Sequence, residues 1–129
     1  TLGVPVIGFQ PSEFPAFYLR SSGAGVDARF DDVADLGAFI AAELRRTGRG
    51  ILIANPIPVS SELDASQFSD WLRKAEHAVG AAAHGRNATP SLLGKLHELS
   101  EGKTLQANLD LIRSNTALGA RLASSLGNH

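Results

Sequence analysis

The sequence predicts an α/β domain with a mostly parallel sheet and a helical C-terminal half, and three observations predict it. The first is Gly50-Ile-Leu-Ile-Ala-Asn55-Pro-Ile-Pro58, where an apolar run rich in β-branched residues is bounded by Gly and by Asn-Pro-x-Pro; it reads as a fully buried parallel strand over 51–54. The second is an amphipathic helical pattern that ends only a few residues before that run, which is half of a βαβ unit. The third is the stretch beyond Pro58, whose apolar residues keep helical spacing almost to the C-terminus.

Each element has its own signals. Gly3-Val-Pro-Val-Ile-Gly8-Phe9 is a β-type run, with strand one expected over 4–9 and Pro5 suiting an edge or a first strand position. Phe14-Pro-Ala-Phe-Tyr18 reads as a short helical turn with Pro15 near its start. Its three aromatics are either a plug over a sheet edge or a wall for a flat ring. Arg20-Ser-Ser-Gly-Ala-Gly25 is either an ordinary turn or a weak anion-binding nest, since successive amides in such a loop can converge. Val26 to Phe30 alternates as a second strand.

Asp31 or Asp32 caps a helix with Val33, Leu36, Phe39, Ile40 and Leu44 on one side, Arg45 and Arg46 in its last turn and Gly48 at its end. The buried strand follows and stops at Asn55, because Pro56 and Pro58 have no N–H to give to a ladder. Asn55 thereby stands at the carboxyl end of a parallel strand, where ligands bind in open α/β sheets. It is a site candidate, or else it hydrogen-bonds the turn it starts.

From Ser60 a third helical stretch begins, with Asp64 and Gln67 as a capping box, Phe68, Trp71, Leu72, Ala75 and Val79 on one face and Trp71 in the core. His77 and His84 are seven apart, without the further ligands that a metal would need. Thr89-Pro90 starts another helix with Thr89 as N-cap, carrying Leu92, Leu93, Leu96 and Leu99; His97-Glu98 lacks the second histidine of a zinc hydrolase motif. A final helix is expected at 104–126, with Leu105, Leu109, Ile112, Leu118 and Leu122 as its stripe. Asn108 and Asn115 share a face beside it, as buried amides or as ligand contacts.

At 129 residues the chain has the length of one domain, and 12 basic against 13 acidic side chains give no overall field to draw in nucleic acid or an anionic membrane. Cysteine is absent, which excludes thiolate chemistry and suits a reducing compartment; the expectation is cytoplasmic. Thr1 to Phe9 has no signal-peptide pattern, and the absence of any methionine makes a fragment or a processed product the expected origin. No nucleophile elbow, paired carboxylates or phosphate loop appears, so the residues alone stop at an α/β domain with a polar cluster at one strand end.

Resemblance goes further. Thr1-Leu-Gly-Val-Pro-Val6, Glu13-Phe-Pro-Ala-Phe-Tyr18, Arg20-Ser-Ser-Gly23, the block at 50–58, Thr89-Pro90 with Leu92-Leu93, and Leu105 to Leu118 together resemble the C-terminal part of the pseudouridine-5′-phosphate glycosidase family, also called indigoidine synthase A-like. The resemblance covers essentially the whole chain. It implies that residues 1–129 are the C-terminal segment of such a domain, without its N-terminal half, within a three-layer α/β/α sandwich. It implies an enzyme that reversibly cleaves the C–C glycosidic bond of pseudouridine 5′-phosphate to uracil and ribose 5-phosphate. The family's lysine–sugar adduct, proton-donating glutamate and metal-binding aspartate, with manganese or another divalent metal, all belong upstream of Thr1; none transfers to Lys74, Lys95 or Lys103. No catalytic residue and no metal ligand is therefore expected in this chain, and the segment alone is expected to be inactive.

Asn108 does carry over, in Leu105-Gln-Ala-Asn108-Leu, as the family's asparagine that lines the active site; Asn55 and Asn108 are thus the expected substrate-binding residues. Ser114 stands where many members have a second asparagine, and Gly85-Arg-Asn replaces the usual Gly-Lys-acidic triplet. The family pattern also implies a homotrimer. The rival expectation is a non-catalytic α/β binding or scaffold module.

Overall fold

The computed structural model describes residues 3–80 and 88–127. Strands β1 (Val6–Phe9), β2 (Ala28–Phe30) and β3 (Leu52–Ala54) form one sheet in the order β2-β1-β3, and both pairs are parallel. Helices α1 (Val33–Thr47), α2 (Ala65–Val79), α3 (Ala88–Leu99) and α4 (Lys103–Leu126) complete an α/β fold with a helical C-terminal half.

Local chemistry accounts for the best-defined elements. Asp32 caps α1 by accepting from the backbone N–H groups of Ala34 (2.7 Å) and Asp35 (3.1 Å), and Gly48 ends it at φ 63°, donating its N–H to Leu44. Asp64 accepts from Gln67 N–H at 2.9 Å and starts α2. The helix expected from Ser60 is interrupted, because a single 3-10 turn at Val59–Ser61 precedes it and Ala65 is its first residue. Thr89 is also displaced from its expected cap, since α3 already begins at Ala88 and Thr89 lies in its first turn. Helix α2 ends at Val79, so His77 is on it, whereas His84 and the Gly85-Arg-Asn triplet lie outside the described residues.

The core has two clusters. Ile7 and Phe9 point from one face of β1 into Leu36 and Ile40 of α1 and Leu118 and Leu122 of α4, with Ile53 packed alongside. Leu36 is fully buried there, worth ~2 kcal/mol by transfer alone. The approach of α1 to α4 is close: a Cβ on Gly37 would sit 2.3 Å from Ser125 Oγ. Tyr18, Ile57, Ala107 and Leu111 form the second cluster, with Leu63 and Phe68 against it.

Burial departs from expectation in four places. First, β3 is an edge strand among the described residues, and Leu52 is 46% exposed, because β1 covers only one side of it. Second, β1 is the central strand: Pro5 falls just before it and uses only its carbonyl, which accepts from Leu52 N–H at 3.0 Å. Third, α4 buries Thr104, Ala107, Leu111, Leu118 and Leu122, while Leu105, Leu109 and Ile112 are exposed. The N-terminal half of α4 meets the second cluster through a face turned away from the three residues of the expected stripe. Fourth, Trp71 is half-buried, with Lys103 Nζ 5.8 Å from its ring centroid, because the core of α2 is reached through Phe68 and Ala75.

Candidate functional site

Phe14 to Tyr18 forms no helical turn. Ala16 and Leu19 exchange backbone hydrogen bonds at 2.9 and 3.2 Å, closing a tight two-residue turn with Phe17 and Tyr18 at its tip. Phe17 is held at φ 59°, a conformation that bulky side chains rarely adopt. The two aromatics then part: Tyr18 is wholly buried in the second cluster, 5.4 Å from Phe68 between ring centroids, while Phe17 stays 44% exposed and Phe14 38%. Burial raises the pKa of the Tyr18 hydroxyl, which approaches Thr104 but makes no hydrogen bond among the described residues.

Three hydrogen bonds fix this loop against the segment after β3. Arg20 donates from its guanidinium to the carbonyl of Ile57 and from its backbone to Glu62 Oε1 (2.9 Å), and Leu63 N–H reaches the Tyr18 carbonyl (3.2 Å). The glycine loop at 20–25 takes its anion from within the chain: Glu13 accepts from Ser21 Oγ and from Gly23 N–H. An ordinary turn tied to its own carboxylate is therefore what forms there. The Ser21 hydroxyl first, and the Gly23 N–H second, hold the Glu13 carboxyl below the usual value of 4.5. A depressed pKa stabilises the fold above the ordinary value and loses that contribution as pH falls through the lowered one. The Gly23 amide resonance should accordingly titrate in acid with a midpoint below 4.5, and a midpoint at or above it would show that the carboxylate does not hold the loop.

Between this loop, the open edge of β3 and the side of α4 runs a cleft of about 450 Å³. Phe14, Phe17, Leu52 and Leu111 are among its apolar walls, and Asn55 and Asn115 supply its polar side chains. Asn55 donates from Nδ2 to Asn115 Oδ1 (2.9 Å) and to Ser114 Oγ (3.1 Å), so strand end and helix meet here across sixty positions of sequence. Asn55 thus ties the end of β3 to α4, where its hydrogen bonds go instead of to the turn it starts, and lines the cleft. Asn108 lies on the Leu111 and Asn115 side of α4, a turn before Leu111, half-buried and outside the cleft lining. Asn115 was legible only as a partner of Asn108 in face, and Phe17 only as one of three clustered aromatics.

No residue lining the cleft titrates, and among the described residues no group of three His, Cys, Asp or Glu side chains could hold a metal ion. The cleft lies at the carboxyl end of a parallel strand, and among the described residues its polar side chains are amides that offer hydrogen bonds.

The chain belongs to the indigoidine synthase A-like family: the family model described as "Indigoidine synthase A like protein" matches residues 1–125. Among its relatives, the pseudouridine-5′-phosphate glycosidase of Legionella pneumophila is 42% identical over 124 residues, which are 95% of this chain and 40% of the relative. The enzyme of that name from Caldanaerobacter subterraneus is 43% identical over 129 residues, 98% of this chain and 42% of the relative. The chain thus spans about two fifths of the curated relatives it matches. An indigoidine synthase A-like protein from Thermotoga maritima superposes with a TM-score of 0.75 at 28% identity, over 96% of this chain and 40% of that one. The prealnumycin C-glycosynthase AlnA, solved with ribulose 5-phosphate, shares the fold with a TM-score of 0.83 at 24% identity, over 96% and 41%.

Proposed function

We propose that this chain is the C-terminal segment of an enzyme that reversibly cleaves pseudouridine 5′-phosphate, with water, to uracil and ribose 5-phosphate. The observation that carries the reading is the match of about 42% identity, over nearly the whole chain, to relatives named for that activity. Carbon is a poor leaving group, so the reading assigns bond breaking to a covalent adduct between a lysine amine and the sugar C1. That lysine, the glutamate that donates a proton and the aspartate that binds manganese are assigned to the part of the whole protein outside this segment. The described residues gather no ligand set for a metal.

Within this chain the reading gives Asn55 and Asn108 to substrate binding. The cleft's lack of titrating side chains supports a binding wall rather than a centre of catalysis. Leu105, Leu109 and Ile112, exposed along α4, support burial against the rest of the protein or its neighbours in a homotrimer, which we place in the cytoplasm.

In the whole protein, supplied with manganese, pseudouridine 5′-phosphate should release uracil, and borohydride with ribose 5-phosphate should leave a sugar adduct on a lysine outside residues 1–129. The isolated chain should give neither. Failure of the folded whole protein to do both, or turnover by the isolated chain, would overturn the reading; the first result points to a non-catalytic binding module.

A further inference from the structure

The two outer strands of the sheet end it differently. On β2, Ala28 and Arg29 are exposed, and Arg29 pairs at 2.8 Å with Asp31 just beyond the strand. Charge on an outer strand discourages a further strand from adding to it. The run Ile51-Leu-Ile-Ala54 around β3 has no charged side chain at all, and Leu52 is 46% exposed. An apolar strand left open on one side is a template for pairing.

The open side of β3 has a defined set of backbone groups. In a parallel ladder alternate residues face the same neighbour, and Leu52 faces β1, since its N–H reaches the Pro5 carbonyl at 3.0 Å. Ile53 therefore turns its N–H and C=O away from β1. The cleft lies along that side: Leu52, Ile53, Ala54 and Asn55 all line it, although successive side chains of a strand point to opposite faces of the sheet. A hollow that meets four consecutive residues follows the edge of a strand and not one of its faces. Phe14 and Phe17 from the loop and Leu111 from α4 give it apolar walls. An extended strand suits both features, with side chains for the walls and a backbone to pair with Ile53.

We infer that the cleft along β3 is the seat of a further strand, supplied by the part of the same polypeptide outside residues 1–129, so that β3 is an inner strand of the whole protein's sheet. The chain spans about two fifths of its curated relatives, which leaves more than half of such a polypeptide to supply the strand. The inference takes from the proposed function only that residues 1–129 are a segment of a longer protein, and no substrate enters it. Asn55 follows the last residue of β3, so the binding role proposed for it concerns the end of this seat and not its length.

Hydrogen exchange of the whole, unmodified protein, resolved to single amides, tests the pairing. The Ile53 amide should be protected to within about tenfold of Leu52 and Ala54, which pair with β1. An Ile53 amide that exchanges faster than that, with Leu52 and Ala54 still protected, would overturn the seat. The source of the strand is read by photo-cross-linking the whole protein with benzoylphenylalanine in place of Leu52. Linkage within one polypeptide, to a peptide outside residues 1–129, is the expected result. Linkage to a second copy, or only to peptides within residues 1–129, would overturn the assignment. Protection at Ile53 in a protein without glycosidase turnover would leave the seat and remove the proposed function; turnover with the Ile53 amide open would do the reverse.

Discussion

Replacing Gly8 by alanine should cost the fold about 3 kcal/mol or more. The reason is a single close approach: a Cβ on Gly8 would lie 2.2 Å from the carbonyl oxygen of Pro11 and 3.2 Å from Val26 Cγ2. The first of these is backbone, so no side-chain rotation relieves the clash; the turn over β1 must move. That turn is already constrained, with Gln10 at φ 77° and its N–H bonded to the Phe30 carbonyl at 2.8 Å, and it leads into the loop that carries Phe14 and Phe17. Gly8→Ala is therefore expected to disturb the cleft as well as the sheet. Gly119→Ala is the contrasting case. It sits on the exposed side of α4 with nothing within 4 Å of an added Cβ, and should stabilise by about 0.5–1 kcal/mol through helix propensity and a less flexible unfolded chain. Urea unfolding of both variants checks the pair. A Gly8→Ala protein within about 0.5 kcal/mol of the parent would mean that the Pro11 turn shifts freely, contrary to the packing described.

The two glycines also mark what could be read from sequence. Signals that act within a few residues were legible: the Asp32 cap, the Gly48 stop, the Asp64 cap and the end of β3 before Asn55 all stand where local chemistry put them. Burial was not, because it depends on which element arrives. Leu105, Leu109 and Ile112 keep helical spacing as well as Thr104, Ala107 and Leu111 do, and only the position of Tyr18 and Ile57 decides which set is covered. The same holds for the 51–54 run, whose composition suits a strand covered on both sides although β1 alone pairs with it here. At the site, Asn55 could be singled out by the prolines that follow it. Its partner Asn115 could not, since nothing in either neighbourhood encodes a hydrogen bond across sixty positions. The turn at Phe17 was equally hidden, because no glycine or asparagine marks its positive φ.

Tyr18 should separate packing from hydrogen bonding in this loop. Tyr18→Ala is expected to cost about 3–5 kcal/mol, the usual loss for emptying a fully buried aromatic site. It removes the contact with Phe68 and the hub joining Ile57, Ala107 and Leu111, and with it the anchor that turns Phe17 outward. Tyr18→Phe keeps that volume and discards only a hydroxyl that has no partner among the described residues, so it should lie within about 1 kcal/mol of the parent and on its stable side. Urea denaturation of the two variants makes the distinction. A Tyr18→Phe protein less stable than the parent by more than about 1 kcal/mol would show that Thr104, the group that approaches the hydroxyl, accepts or donates a real hydrogen bond, and that the loop is tied to α4 through polar contact as well as through its buried ring.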